Sequence, residues 1–280
     1  MIEETDIAVV GAGGGGAVLA LALAQKGIKT IVLEQAPGPP QGLRGEILQP
    51  NGQQVLDRLG LLNKLPASST RTVHTFHFCR VGGRRLCTID YRDLPPPYNQ
   101  AVVTLPNVAH HAIVDAVEQE PSVSLRYRAT FTGLLREHGR VVGLTVKQGE
   151  REGTIKAKVV VGADGAFSKV REALGIPADL YRYPQGYLIA LLDAAVPMTE
   201  AKYFVGKRTI LGLFPAAGDK VYAFYMIKTG SYDQVKEKGL SALQNAWSAI
   251  DPSNEAVFRT LTDWKQTAFL PTGRVRTPTW

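Results

Sequence analysis

A chain of 280 residues with 45% hydrophobic and 20% charged residues has ordinary globular composition, and it is long enough to bury a core without covalent staples. The net charge of +7 is the excess of 32 Lys and Arg over 25 Asp and Glu, and the basic residues are scattered with no basic block, which argues against a nucleic-acid partner. Cys79 and Cys87 have neither metal-site nor disulfide-framework spacing, so a cytoplasmic setting is expected. The start Met1-Ile2-Glu3-Glu4 is acidic where a secretory leader would be basic, so none is expected, and the longest apolar run of the first helix, 17–24, is too short for a bilayer.

In chain order, the branched apolar run 7–10 predicts a strand buried on both faces. A glycine run follows, then an Ala- and Leu-rich helix over 17–26 that stops at Gly27. Residues 29–33 form the second strand, ending at Glu34, and strand–helix–strand implies a right-handed crossover in a parallel sheet. The Pro- and Gly-rich stretch 36–45 is a loop, 49–62 a helix, 72–86 strand-like, and 108–118 another helix. Short strands follow at 123–127, 132–137, 140–147 and 153–158, with a helix starting near Ser168. Beyond Pro184, strands at 187–192, 201–205, 209–214 and 221–228 precede a helix at 235–250.

This order predicts an α/β fold. A Rossmann-like dinucleotide-binding domain (βαβ with a β-meander crossover), 1–72 and 99–180, interleaves with a β-rich domain, 73–98 and 181–270.

Gly11-Ala12-Gly13-Gly14-Gly15-Gly16 satisfies G-x-G-x-x-G through Gly11, Gly13 and Gly16, and its context strengthens it. It follows an apolar strand and opens a helix, and an acid ends the next strand. Gly11 permits the tight turn, Gly13 lets backbone approach a diphosphate, and Gly16 lets the helix pack close. The helix start offers unpaired N–H groups to phosphate, with Gly14 and Gly15 in its bare first turn. Glu34, 23 residues after Gly11, can accept from both ribose hydroxyls and would repel a 2′-phosphate, which favours FAD or NAD over NADP here.

The segment 159–171, with Asp164-Gly165, Ser168 and Arg171, resembles the class A flavoprotein monooxygenases, the p-hydroxybenzoate hydroxylase-like family. Leu174-Gly175-Ile176 closes it as in that family. The stretch 42–52 is similar to the family segment whose arginine reaches the cofactor, here Arg44. The resemblance implies FAD held by Gly11, Gly13, Gly14, Gly15, Gly16, Glu34, Arg44, Asp164 and Gly165. It also implies NAD(P)H as reductant, O₂ as oxidant and hydroxylation of an aromatic or apolar small molecule in the β-rich domain. No catalytic side chain and no metal ligand is assigned.

Alternatives are a flavin reductase or dehydrogenase of the polyprenyl-reductase-like kind, and an FAD- or ADP-binding module without turnover. A halogenase would need a W-x-W-x-I-P signature that the chain lacks. Two departures stand out: Pro106-Asn107 where many members carry Arg or Gln, and an end that resembles the stretch just before the family's Gly-Asp motif. Residues 271–280 are therefore expected to begin a further C-terminal segment, and the 280 residues alone to hold FAD weakly.

Phe76, Phe78, Tyr203, Phe204, Phe214, Tyr222, Phe224 and Tyr225 are candidates for a pocket lining or for sheet packing. His74 and His77 fall on opposite faces of one expected strand, and His110-His111 begin a helix, solvated or packed.

Overall fold

In the computed structural model, which describes residues 2–43 and 46–279, the chain opens with strand β1 (Ile2–Val10) and helix α1 (Gly14–Ala24). β1 begins five residues before the apolar run, because its polar first half pairs by backbone alone, from Ile2↔Thr154 to Thr5↔Ala157. Next come β2 (Thr30–Leu33), β3 (Glu46–Leu48), α2 (Pro50–Arg58), β4 (Thr70–Val73), β5 (Thr75–Arg80), β6 (Arg85–Asp90) and β7 (Ala101–Thr104). Pro50 starts α2 at a position where a missing N–H is harmless.

α3 (Val108–Glu118) leads into β8 (Val123–Arg126), β9 (Ala129–Glu137), β10 (Arg140–Gln148), β11 (Arg151–Gly162) and α4 (Lys169–Ala173). The remainder is β12 (Asp179–Asp193), β13 (Ala201–Val205), β14 (Ile210–Ala216), β15 (Lys220–Lys228), α5 (Tyr232–Glu237), α6 (Leu240–Ile250), α7 (Glu255–Phe258) and β16 (Thr267–Arg276). The single helix expected over 235–250 is two, broken at Gly239, whose φ of 86° no helix accommodates. Among the described residues no helix is long and apolar enough to cross a membrane.

Contacts divide the chain into a first unit, Met1–Pro40, Ala109–Tyr181 and Arg274–Trp280, and a second, Gln41–Val108 and Arg182–Gly273. The first is built on a six-stranded sheet in the order β8-β2-β1-β11-β10-β9. β8, β2, β1 and β11 run parallel, and β10 and β9 continue antiparallel. Ala8, Val10, Ile31, Leu33, Leu144 and Ile155 share one core with Val170 of α4, while α1 packs on β1 and β2. At the carboxyl edge, Gly11 N donates to Leu33 O (2.7 Å) and Ala163 N to Val10 O (2.8 Å). Those bonds seat the loops after β1 and β11 beside the end of β2.

The second unit holds a seven-stranded sheet, β16-β12-β15-β14-β13-β5-β6, and a three-stranded one, β3-β7-β4. Side chains of the large sheet alternate between two cores, as the pleat requires. Leu188, Phe204, Leu213 and Ala223 meet Trp247 and Phe258 of α6 and α7, whereas Phe76, Phe214 and Tyr222 meet Val73, Ala101 and Val103 of the small sheet. That shared core is why 41–72 and 99–108, expected with the dinucleotide domain, cluster with the β-rich one. His74 and His77 do not share a strand, since β4 stops at Val73 and β5 starts at Thr75.

The close contact of α1 with the turn before it yields a direct test. A Cβ on Gly16 would lie 1.9 Å from Gly11 O, whereas one on Gly14 would meet nothing within 4 Å. Gly16→Ala is expected to lower unfolding free energy by about 1–3 kcal/mol through backbone displacement, and Gly14→Ala to stay within about 0.5 kcal/mol. Urea unfolding of both variants checks this, and equal midpoints would contradict the packing.

Candidate functional site

The site is assembled from the loops that follow β1, β2 and β11. Gly11 has φ +101°, and a Cβ there would sit 2.5 Å from Ala163 O, so only glycine fits where the two loops touch. Gly13 caps α1 in extended conformation without a side-chain hydrogen bond. Gly13, Gly14 and Gly15 are exposed, and a Cβ on any of them would project into open space. A helix start whose first N–H groups lack intrahelical partners and are bare of side chains can receive phosphate. Gly16 is buried beneath it.

Glu34, half-buried at the end of β2, faces this turn. Its Oε2 accepts from Ala12 N (2.9 Å) and its Oε1 from Ala36 N (2.8 Å). The carboxylate therefore already fastens the glycine turn to the strand end, and each oxygen keeps a second lone pair for a ribose hydroxyl. Opposite, Glu34 O accepts from Ala129 N (2.9 Å) and Ala36 O from Arg128 N (3.0 Å), which brings the start of β9 alongside.

Asp164 faces the same turn and bonds the loop that follows it. Its Oδ1 accepts from Ser168 Oγ (2.5 Å), and its Oδ2 from the backbone N–H groups of Lys169 (2.6 Å) and Val170 (3.1 Å). Ser168 Oγ in turn accepts from Arg171 N (3.0 Å), and an Arg171 guanidinium N–H donates to Ala166 O (3.0 Å). The residues that carry the resemblance thus form one self-bonded loop, in which the acid holds the start of α4. Gly165, exposed with φ +83°, makes the bend.

Together these loops enclose an open cavity of about 520 Å³ lined by Gly11, Gly13, Glu34, Gln35, Thr130, Phe131, Asp164, Gly165, Phe167 and Lys169. The volume falls in the range of small-molecule sites. Gly14 and Gly15 lie just outside the lining, and Arg44 lies outside the described residues. Thr130 and Phe131 had no signal in the sequence. They arrive because Arg128 takes a left-handed turn (φ 55°) between β8 and β9. An adenosine diphosphate moiety fits this donor set, with phosphate at the bare helix start and ribose at Glu34.

Glu34→Ala removes the acceptor for Ala12 N and the candidate ribose partner together. ADP affinity is expected to fall by about 1–3 kcal/mol, the usual effect of losing a charged hydrogen-bond partner. Isothermal titration calorimetry measures it, and unchanged affinity would remove Glu34 from the site.

The family described as "FAD binding domain" matches residues 4–253. 6-Methylpretetramide 4-monooxygenase of Streptomyces rimosus is 31% identical over 274 residues, covering 95% of this chain and 64% of that protein. 3-Demethoxyubiquinol 3-hydroxylase of Escherichia coli (strain K12) is 31% identical over 201 residues, covering 67% and 48%. The chain therefore spans between about half and two-thirds of the length of these relatives. Among solved structures, Pseudomonas aeruginosa PqsL in complex with 2-aminobenzoylacetate shares the fold, with a TM-score of 0.83 at 20% identity over 97% of this chain and 74% of that one. With the match running over most of its length, this chain belongs to the FAD-binding domain family, and its cofactor is FAD.

Proposed function

We propose that the chain forms the FAD-binding and substrate-facing part of a monooxygenase that hydroxylates an aromatic or apolar small molecule with NAD(P)H and O₂. The observation that carries this is the pairing of a bare glycine helix start with Glu34 in one 520 Å³ cavity, in a chain whose relatives are named monooxygenases and hydroxylases. Bound FAD supplies the redox and oxygen chemistry. The backbone of Gly13 to Gly15 would hold its diphosphate and Glu34 its ribose, with Arg44, Asp164 and Gly165 as further binding residues. The unpaired Cys79 and Cys87 fit a cytoplasmic setting.

The second unit supplies an apolar face suited to an aromatic molecule. On one side of its large sheet Tyr203 stacks on Phe78 (centroids 4.8 Å, 8° between planes) and meets Phe214 edge-on, which in turn meets Phe224. Phe76, Phe214 and Tyr222 are core, while Phe78, Tyr203 and Phe224 are only partly covered. Phe204 and Tyr225 point to the other side, towards the helices. Burial pushes the Tyr203 phenol up to about 12, with Tyr187 and Tyr91 adding to the shift. Tyr203 therefore stays a neutral phenol at working pH, able to orient a polar group and not to act as a base.

Purified protein reconstituted with FAD and offered NADH or NADPH, with and without a panel of phenols, tests the proposal. The expected result is phenol-stimulated NAD(P)H oxidation with a product heavier by one oxygen atom in mass spectrometry. Oxidation indifferent to the phenol, without oxygenated product, would replace it with a flavin reductase. Bound FAD without any NAD(P)H oxidation would leave a binding module.

A further inference from the structure

α3 carries two adjacent histidines at its start, and each reaches a backbone carbonyl of a different loop. His110 Nε2 lies 3.0 Å from Ala12 O, and His111 Nε2 lies 3.0 Å from Pro40 O. A carbonyl oxygen can only accept, so Nε2 carries the proton in both rings. His110 Nδ1 is buried and without a partner, so one hydrogen bond fixes how this ring is used.

That bond falls on the residue whose other polar group Glu34 holds. Ala12 N donates to Glu34 Oε2 (2.9 Å) and Ala12 O accepts from His110, so the residue before Gly13 is pinned at both its N–H and its C=O. The Ala12–Gly13 peptide is planar and trans, so its carbonyl and its N–H point in opposite directions. A carbonyl drawn towards His110 turns Gly13 N–H the other way. On that other side Gly13 is exposed and lines the cavity. Gly13 O meanwhile accepts from Ala17 N (2.9 Å), the first turn of α1, which leaves its N–H among the donors that the helix cannot satisfy.

We infer that His110 is a positioning residue for the cofactor diphosphate, holding the Ala12–Gly13 peptide with its N–H aimed into the mouth of the glycine turn. The inference rests on the FAD reading of that turn. His110 touches no phosphate itself. It sets the direction of a donor that does, and so lowers the reorganisation that binding requires.

The test separates a lost donor from lost packing. His110→Phe keeps a ring and His110→Leu keeps apolar bulk, and both remove the N–H, whereas His110→Gln keeps an N–H at similar reach. Calorimetric ADP affinity is expected to fall roughly three- to tenfold in Phe and Leu, the effect of one hydrogen bond, and to recover to within about twofold in Gln. Adenosine affinity, measured by competition, should not change in any of them, because adenosine lacks the diphosphate. Either donor-free variant suffices if the other does not fold. Wild-type ADP affinity in a folded Phe or Leu variant would overturn the inference. So would equal losses in Phe, Leu and Gln, or a loss for adenosine matching that for ADP. Failure of the wild-type chain to bind either ADP or FAD would instead remove the cofactor reading, and His110's role with it.

Discussion

Glu34 holds two backbone N–H groups, Ala12 on one side and Ala36 on the other, from the position just after a fully buried strand. The geometry of the cavity follows from those bonds. Ala12 fixes where the glycine turn lies over the strand ends, and Ala36 fixes where the loop after β2 departs. The backbone of Glu34 also pairs with Arg126 and Ala129, so β8 and β9 are registered against the same residue. One carboxylate thus bonds the glycine turn and the loop after β2, and its own backbone anchors the strand that brings Phe131 to the site. The acid is a structural fastener as well as a ligand candidate, and a neutral replacement disturbs both roles.

The parts legible in the sequence were those whose signal is local. Gly11 to Gly16 and Glu34 sit within one βαβ unit, where strand, turn and helix fix their spacing, and the structure gathers them at one sheet edge. Asp164 was legible by its neighbours and not by its bonding. Its three donors come from the four to six residues that follow it, a pattern that spacing alone does not distinguish from a ligand-facing acid. Phe131 and His110 were illegible because each depends on a distant partner. Phe131 needs the left-handed turn at Arg128, a residue type that rarely takes it, and His110 reaches Ala12 across 98 positions.

The β-rich unit shows the same division. Its strands alternate faithfully, so Phe204 and Leu213 were bound to face away from Tyr203 and Phe214 once the sheet formed. Which of the two faces meets helices cannot be read from alternation. The helices α6 and α7 settle it by burying their own Trp247 and Phe258 against one face, and the partly covered rings Phe78, Tyr203 and Phe224 lie on the other.

The first unit is stitched from segments far apart in sequence, and synthesis must work with that order. β1 pairs with β11 from Ile2↔Thr154 to Val10↔Gly162. At about 5–20 residues per second, the partner edge emerges on the order of ten seconds after β1 has left the ribosome. Until β8 emerges β1 and the fully buried β2 can pair only with each other, and the far edge of β1 stays open to other extended chains until β11 arrives. The glycine turn has the same wait, because Ala163, the residue it packs against, emerges with the end of β11. The nascent chain therefore carries an unpaired β1 edge for most of the time the first unit takes to be made.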